Sequence, residues 1–362
     1  MTIHQALNNA TKKLKQKNIP SANLDAEILL LEALNKIIRS QPSPKRKISY
    51  PSLKEDKESV IKFTRTFLYS HSNYKLNQYE EKIFNGFISR RLEREPIAYI
   101  IGRKEFFGLD FVVNKNVLIP RPETEIIVEE VLKIIETRFI AFSAQRKHDK
   151  SPSPRFNLID VGTGSGCILI SVLKNIAAKK IIPSLGNERL EMIRNQDNYA
   201  LDISREAIEV AKKNAKIILG KNHKIKFIAG DFSKTLNEKI LNTSHNLIIT
   251  ANLPYLSENN YQKTQPEIRN FEPRIALTAP KNGLALIKKL LQKIAFFSNE
   301  LQSISINKNT SQHSPNIFVF LEIDHSQTKH ILKFIKNIFP FSKIKIIKDL
   351  AKKDRVIKIK IR

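Results

Sequence analysis

The chain has 362 residues, 41% hydrophobic and 27% charged, a composition that excludes a disordered or fibrous protein and allows two domains, or one large domain with additions. No uninterrupted apolar run is long enough to span a bilayer, and Met1-Thr2-Ile3-His4-Gln5 lacks the basic-then-apolar pattern of a secretory signal. The formal net charge of +27 fits either an anionic partner such as RNA or a general excess of lysine; scattered lysines favour the second, so direct nucleic-acid binding is not the favoured expectation.

The single cysteine, Cys167, excludes an internal disulfide and is expected to pack in a reducing, cytoplasmic compartment. His325 and His330 are the nearest pair of possible ligands, and their spacing does not predict a metal site.

Residues 1–95 predict a helical domain. Ala6, Ala10 and Leu14, then Ala26, Leu29, Leu30, Ala33 and Leu34, recur at helical spacing, as do Ile83, Phe84, Phe87 and Ile88 later. Such a domain either packs as a small bundle or docks a partner. Residues 96–117 change period: Ile97, Tyr99 and Ile101, then Phe107, Leu109, Phe111 and Val113, alternate around Gly102 and Gly108. A linking β-hairpin is expected there. Pro120 and Pro122 then stiffen the chain before a helix starting near Glu123.

Residues 118–362 read as one α/β domain. The run Asn157–Val161 ends a strand, Gly162-Thr163-Gly164-Ser165-Gly166 forms a tight loop, and Cys167 to Leu173 opens a helix. Glycines let a ligand approach the backbone, and the free N–H groups of a helix start suit a polar or anionic group. A nucleotide-like cofactor is therefore expected. Three more strands end in polar residues: Tyr199–Ile203 carries Asp202, Ile225–Ala229 leads to Asp231 and Phe232, and Leu247–Ala251 delivers Asn252-Leu253-Pro254-Tyr255.

Asp202 is placed to accept ribose hydroxyls or to cap the next helix. It lies farther from the glycines than the roughly 20 residues usual in dinucleotide folds, as an intervening insertion would produce. Asp231 can accept from an adenine amino group, with Phe232 over the ring, or can simply form an Asp turn. Four strand tips in one pattern suit the ligand crevice of an open α/β sheet. Segments 37–64, 138–154, 179–198 and 302–315 look like insertions or loops. Near the end, Ile344–Ile347 and Val356–Ile361 read as a half-exposed edge guarded by lysine.

Asp160–Ile168, Asp202, Asp231 and the Asn252 tetrapeptide resemble the seven-stranded S-adenosylmethionine-dependent methyltransferases. Within that class, Pro96-Ile97-Ala98-Tyr99, Glu105–Leu109, Ile119–Glu125, Phe271–Leu277 and Asp349-Leu350-Ala351 are similar to the peptide chain release factor glutamine methyltransferases. The resemblance implies a seven-stranded Rossmann-like domain after a small helical domain and a linking hairpin. It implies S-adenosylmethionine as cofactor and methylation of the side-chain amide nitrogen of the conserved loop glutamine of class 1 release factors. Gly162–Gly166 would hold the methionine part, Asp202 the ribose, and Asp231 with Phe232 the adenine.

Asn252, Leu253, Pro254 and Tyr255 would bind the substrate. The Asn252 side-chain oxygen and the Leu253 carbonyl would accept from the glutamine N–H groups, and Tyr255 would lie against the planar amide. Leu253 departs from the family, which has proline, and Phe232 replaces its usual tryptophan. The tetrapeptide also resembles that of ribosomal RNA adenine dimethyltransferases. A nucleic-acid base methyltransferase, or a non-catalytic protein that kept the cofactor fold, are the alternatives.

Overall fold

The computed structural model describes residues 1–40, 63–145, 155–177, 196–241, 245–307 and 316–361. Two compact units emerge, Met1–Gly102 with Pro266–Phe271, and Arg103–Gln265 with Glu272–Arg362. Most of the segments expected to be insertions fall outside the described residues. Three of them begin as helix instead of loop. Residues 37–40 close the helix Ala22–Ser40. Helix α6, Glu125–Gln145, runs on through the polar stretch from Arg138, and the helix Ala285–Asn307 continues past Gln302.

In the first unit, α1 (Ile3–Gln16) starts at a capping box in which Thr2 accepts from Gln5 N and the Gln5 side chain accepts from Thr2 N. Ile3, Ala6, Ala10 and Leu14 bury one face of it. That face meets Ala26, Leu29, Leu30, Ala33 and Leu34 of α2 (Ala22–Ser40). Short α3 (Arg65–Ser70) adds Phe67 and Leu68. Next, α4 (Gln78–Leu92), capped by Asn77 and Glu80, adds Phe84, Phe87 and Ile88. The expected helical periodicity is thus the core.

Ile97–Ile101, expected from its alternation to be extended, is instead a helical turn, α5. Pro96 stands at its N-cap and Gly102, at φ +79°, ends it. Alternation over five residues does not separate a strand from a single turn.

The charged anchor of this unit is Arg91, whose Nε donates to Asp25 Oδ2 at 2.7 Å while another guanidinium nitrogen donates to Glu267 Oε1 at 3.1 Å. Side chains of Arg91 and Asp25 are 6% and 7% exposed, so this pair sits out of water.

In the second unit, β1 (Arg103–Phe106) and β2 (Leu109–Val112) pair as a hairpin. Its turn places both Phe107 (φ +52°) and Gly108 (φ +71°) in the left-handed region, as a two-residue turn with right-handed strand twist requires. Phe107 adopts it against preference. Its N–H donates to Glu125 Oε1 at 2.8 Å, and Gly108 N donates to Glu105 Oε1 at 2.6 Å.

The main sheet has seven strands in the order β5-β4-β3-β6-β7-β9-β8. These are β3 (Phe156–Val161), β4 (Asn198–Asp202), β5 (Ile225–Ala229), β6 (Asn246–Ala251), β7 (Ile317–Glu322), β8 (Lys343–Lys348) and β9 (Asp354–Ile361). The first five run parallel, and β9 is reversed between β7 and β8. Strands β3 and β7 are buried along their whole length because both faces are covered. Parity sorts the faces: Leu158, Ile248, Phe318 and Phe320 join one core, and Ile159, Ile249, Val319 and Leu321 the other. The first core is closed by α6 and α7 (Cys167–Ala177), the second by the helices Ala285–Asn307 and Thr328–Ile338.

At this end of the sheet β8 is the edge, and Val356–Ile361, expected to share that edge, is an inner strand. Its lysines remain because their stems cover aromatic rings. Lys358 lies over Phe320 and Lys360 over Phe318, and Lys358 also donates to Glu130 Oε2 at 3.1 Å.

Removing the Arg91 cation would leave Asp25 as a buried carboxylate without its counter-charge. Arg91→Ala is expected to cost about 3–5 kcal/mol of stability, and Arg91→Lys to recover less than half because a point ammonium does not replace the fork. Urea denaturation followed by circular dichroism measures both.

Candidate active site

Sheet order changes direction at β3, which lies between β4 and β6, and the crevice outside the strand tips opens there. A cavity of about 270 Å³ occupies it. Gly162, Thr163, Gly164 and Ser165 line one side and Asp202 the next. Asp231 with Phe232 follows, and then Asn252, Leu253 and Pro254. Gly166 and Tyr255 are not among the lining residues.

The glycine loop is held from beneath by β4. Gly162 N and Thr163 N both donate to Leu201 O, at 2.8 and 2.9 Å. Gly162, at φ +75°, also makes room for the tetrapeptide: a Cβ there would come within 3.0 Å of Leu253 Cδ2. Leu253 is 4% exposed and belongs to the core between sheet and helices. The departure from proline at this position thus places a branched apolar side chain against the glycine loop. Gly166 is packed still more closely, with a hypothetical Cβ 2.6 Å from Ile170 Cδ1 and 3.3 Å from Ala211 Cβ. Its role is the loop's shape.

Asp202 ends β4 with both carboxylate oxygens in use. Oδ2 accepts from Gly164 N at 2.8 Å and Oδ1 from Ser204 N at 2.9 Å. The true N-cap of the following helix, Arg205–Leu219, is Ser204, so Asp202 is not the helix cap. Burial raises the Asp202 pKa, and these N–H donors oppose that shift. Each carboxylate oxygen keeps a second lone-pair direction for a ligand hydroxyl.

Asp231 forms the Asp turn and lines the cavity at once. Its Oδ1 accepts from Ser233 N at 2.8 Å, and its Oδ2 from Lys289 Nζ at 2.9 Å. The Lys289 ammonium holds its carboxyl down at about 2. That ammonium also lies 5.6 Å from the Phe232 ring centroid. Lys289 was not signalled by the sequence, since a lysine on a helix far along the chain carries no local pattern.

Two buried groups complete the site. Asp160 is fully buried in β3 and accepts from the hydroxyls of Thr163 and Thr250, each at 2.7 Å. Burial pushes its pKa up to about 6. Ser165, 2% exposed, lines the cavity with a hydroxyl that has no nitrogen or oxygen partner among the described residues. Cys167 is packed nearby, and burial pushes its thiol up to about 12, which suits a packing role.

The tetrapeptide is tied to elements the sequence did not connect. Asn252 Nδ2 donates to Thr124 Oγ1 at 3.0 Å, and Thr124 Oγ1 donates to Glu322 Oε2 at 2.6 Å. Tyr255 Oη donates to Glu322 Oε1 at 3.1 Å. Burial and the neighbouring Glu322 charge raise the Tyr255 pKa, so the phenol stays protonated. Arg121 lines the cavity with its guanidinium on Glu272, which also accepts from Ile119 N at 3.1 Å. The Ile119–Glu125 and Phe271–Leu277 motifs therefore meet.

A family model described as the PrmC N-terminal domain matches residues 58–102, and one described as a methyltransferase domain matches residues 152–321. The "Bifunctional methyltransferase" of Rickettsia typhi is 32% identical over 362 residues, covering 99% of this chain and 57% of that protein. The chain thus spans little more than half the length of that relative. The "Release factor glutamine methyltransferase" of Thermodesulfovibrio yellowstonii is 30% identical over 298 residues, covering 82% of this chain and 88% of that protein. Its namesake in Bacillus cereus is 29% identical over 299 residues, covering 82% and 88%.

Asp160 makes stability depend on pH. Its carboxyl titrates near 3.8 unfolded and near 6 folded, so the folded chain holds the proton more tightly. That contribution is present in full below 3.8 and is lost as pH rises through about 6, a difference of about 3 kcal/mol. Asp160→Asn should therefore gain stability relative to the parent between about pH 4 and pH 7, by about 2–3 kcal/mol. Urea denaturation at stepped pH reads the difference.

Proposed function

The chain belongs to the release factor glutamine methyltransferase family, and from that premise we propose that it methylates the side-chain amide nitrogen of the loop glutamine of a class 1 peptide chain release factor, with S-adenosylmethionine as donor. The observation that carries this reading is the direction of the Asn252 carboxamide. With Nδ2 given to Thr124, Oδ1 is the end left to accept an N–H.

The cavity's residues fit the cofactor. Ser165 offers a buried hydroxyl without a nitrogen or oxygen partner among the described residues, and Asp202 offers lone pairs at a strand tip. The Gly162–Gly166 loop would hold the methionine part and Asp202 the ribose hydroxyls. Asp231 and Phe232 would meet the adenine as part of an ion pair with Lys289. Bound there, S-adenosylmethionine supplies an electrophilic methyl carbon.

An amide nitrogen is a poor nucleophile because its lone pair is delocalised into the carbonyl. The chain's contribution is placement. The Asn252 Oδ1 and the Leu253 carbonyl accept the two N–H groups of the substrate amide and so aim the nitrogen. Orientation of this kind supplies up to about 7–11 kcal/mol in favourable cases. Once methylated the nitrogen is cationic and strongly acidic, so its proton passes to water without a dedicated base. Tyr255 acts from behind the cavity wall, its hydroxyl anchored on Glu322. The reading implies work in the cytoplasm, alongside release factors.

Incubation with methyl-labelled cofactor and either a release factor or ribosomal RNA tests the proposal. Label on the release factor's glutamine is expected; label confined to RNA would favour base methylation and end it. Asn252→Ala should lower kcat by about 100-fold or more while cofactor affinity stays within about threefold. Turnover at the parent rate in that variant would refute the role of Asn252.

A further inference from the structure

Glu322 is the last residue of β7 and is 1% exposed. Pairing with Val356 of β9 and the bond from Ile323 N to Arg355 O, 2.9 Å, hold the strand end in place. Its two oxygens are divided between two elements of the same unit. Oε2 takes the hydroxyl of Thr124, from the 3-10 turn Pro122–Thr124, and Oε1 takes that of Tyr255. Thr124 is 2% exposed, so water does not compete for its hydroxyl.

A hydroxyl has one proton and two lone pairs. Because the Thr124 hydroxyl donates to Glu322 Oε2, its proton is committed there. What Thr124 then shows Asn252 is a lone pair, and only the NH2 end of a carboxamide satisfies it. The observed bond, Asn252 Nδ2 to Thr124 Oγ1, has that polarity. The Thr124–Glu322 bond is short, at 2.6 Å.

Burial raises the Glu322 pKa, against the hydroxyls of Thr124 and Tyr255 and the nearby Arg355 charge, with Glu123 adding to the rise. Arg355 is itself held by Asp349 at 3.1 Å and donates to Ile323 O at 3.4 Å.

We propose that Glu322 is a positioning residue which, through the Thr124 hydroxyl, sets the direction of the Asn252 carboxamide, so that Oδ1 and not Nδ2 faces the substrate nitrogen. A carboxamide is nearly symmetric in shape, and packing alone does not choose between its two ends. If the ends were exchanged, a donor would face the donor N–H of the substrate. The inference rests on the reading of the substrate as an amide nitrogen, and extends it to Glu322, which does not line the cavity.

The test is Thr124→Val, which keeps the shape and removes the hydroxyl, beside Thr124→Ser, which keeps the hydroxyl. Thr124→Val should lower kcat by about 10- to 100-fold, with KM for the release factor and cofactor affinity within about threefold. Thr124→Ser should restore most of the loss. In an Asn252→Ala background Thr124→Val should have no further effect, because its influence runs through Asn252. Thr124→Val with kcat within about twofold of the parent, or an equal loss in both backgrounds, would overturn the proposal.

A second measurement does not depend on turnover: exchange of the Asn252 side-chain amide protons, followed by NMR with asparagine labelled selectively. Protection in the parent and its loss in Thr124→Val are expected, whereas unprotected protons in the parent would overturn the inference. A parent that leaves the release factor unmethylated would defeat the functional reading, and the exchange measurement would still decide this one.

Discussion

Three parallel strands that stop at the same level are the constraint on which the site depends. Val161 of β3 stands opposite Leu201 of β4 on one side and Ala251 of β6 on the other. The next residues out, Gly162, Asp202 and Asn252, therefore stand side by side, with Asp202 still paired to Ala229 of β5. Register also places Asp160 opposite Thr250, which lets a buried carboxylate take the hydroxyl of the neighbouring strand. A slip of one residue would send all of these side chains to the wrong faces.

Around that tip the structure uses buried carboxylates as directional groups. Asp160 gathers Thr163 and Thr250, Asp202 gathers Gly164 N and Ser204 N, and Glu322 gathers Thr124 and Tyr255. In each case an acceptor-only group fixes which way its donors point. Burial strengthens those bonds electrostatically and raises the pKa of all three acids. The proposed placement of an amide nitrogen would ask for this kind of rigidity and not for a strong base.

Much of the candidate site is legible in the sequence. Glycine spacing, acids at strand ends and the Asn252 tetrapeptide are local features, and the structure brings Gly162, Asp202, Asp231 and Asn252 to one cavity. Short segments were harder to read. Ile97–Ile101 alternates like a strand and folds as a turn of helix between Pro96 and Gly102, because five residues hold too little period to decide. Arg138–Gln145 and Gln302–Asn307 look like loops by polarity, yet continue helices begun upstream, where each added residue needs only one more backbone bond.

What the sequence by itself determined is the parity of the strands, the helical faces of the first unit and the chemistry offered at each strand tip, since all of these depend on neighbours a few residues away. Only the tertiary structure decided which distant groups answer that chemistry. Thr124, Tyr255 and Glu322 lie up to 198 positions apart and share no pattern. Lys289 meets Asp231 across 58 positions, and Arg121 meets Glu272 across 151. A hydrogen bond acts over about 3 Å in space whatever its span along the chain, so its direction is settled only when the sheet has closed.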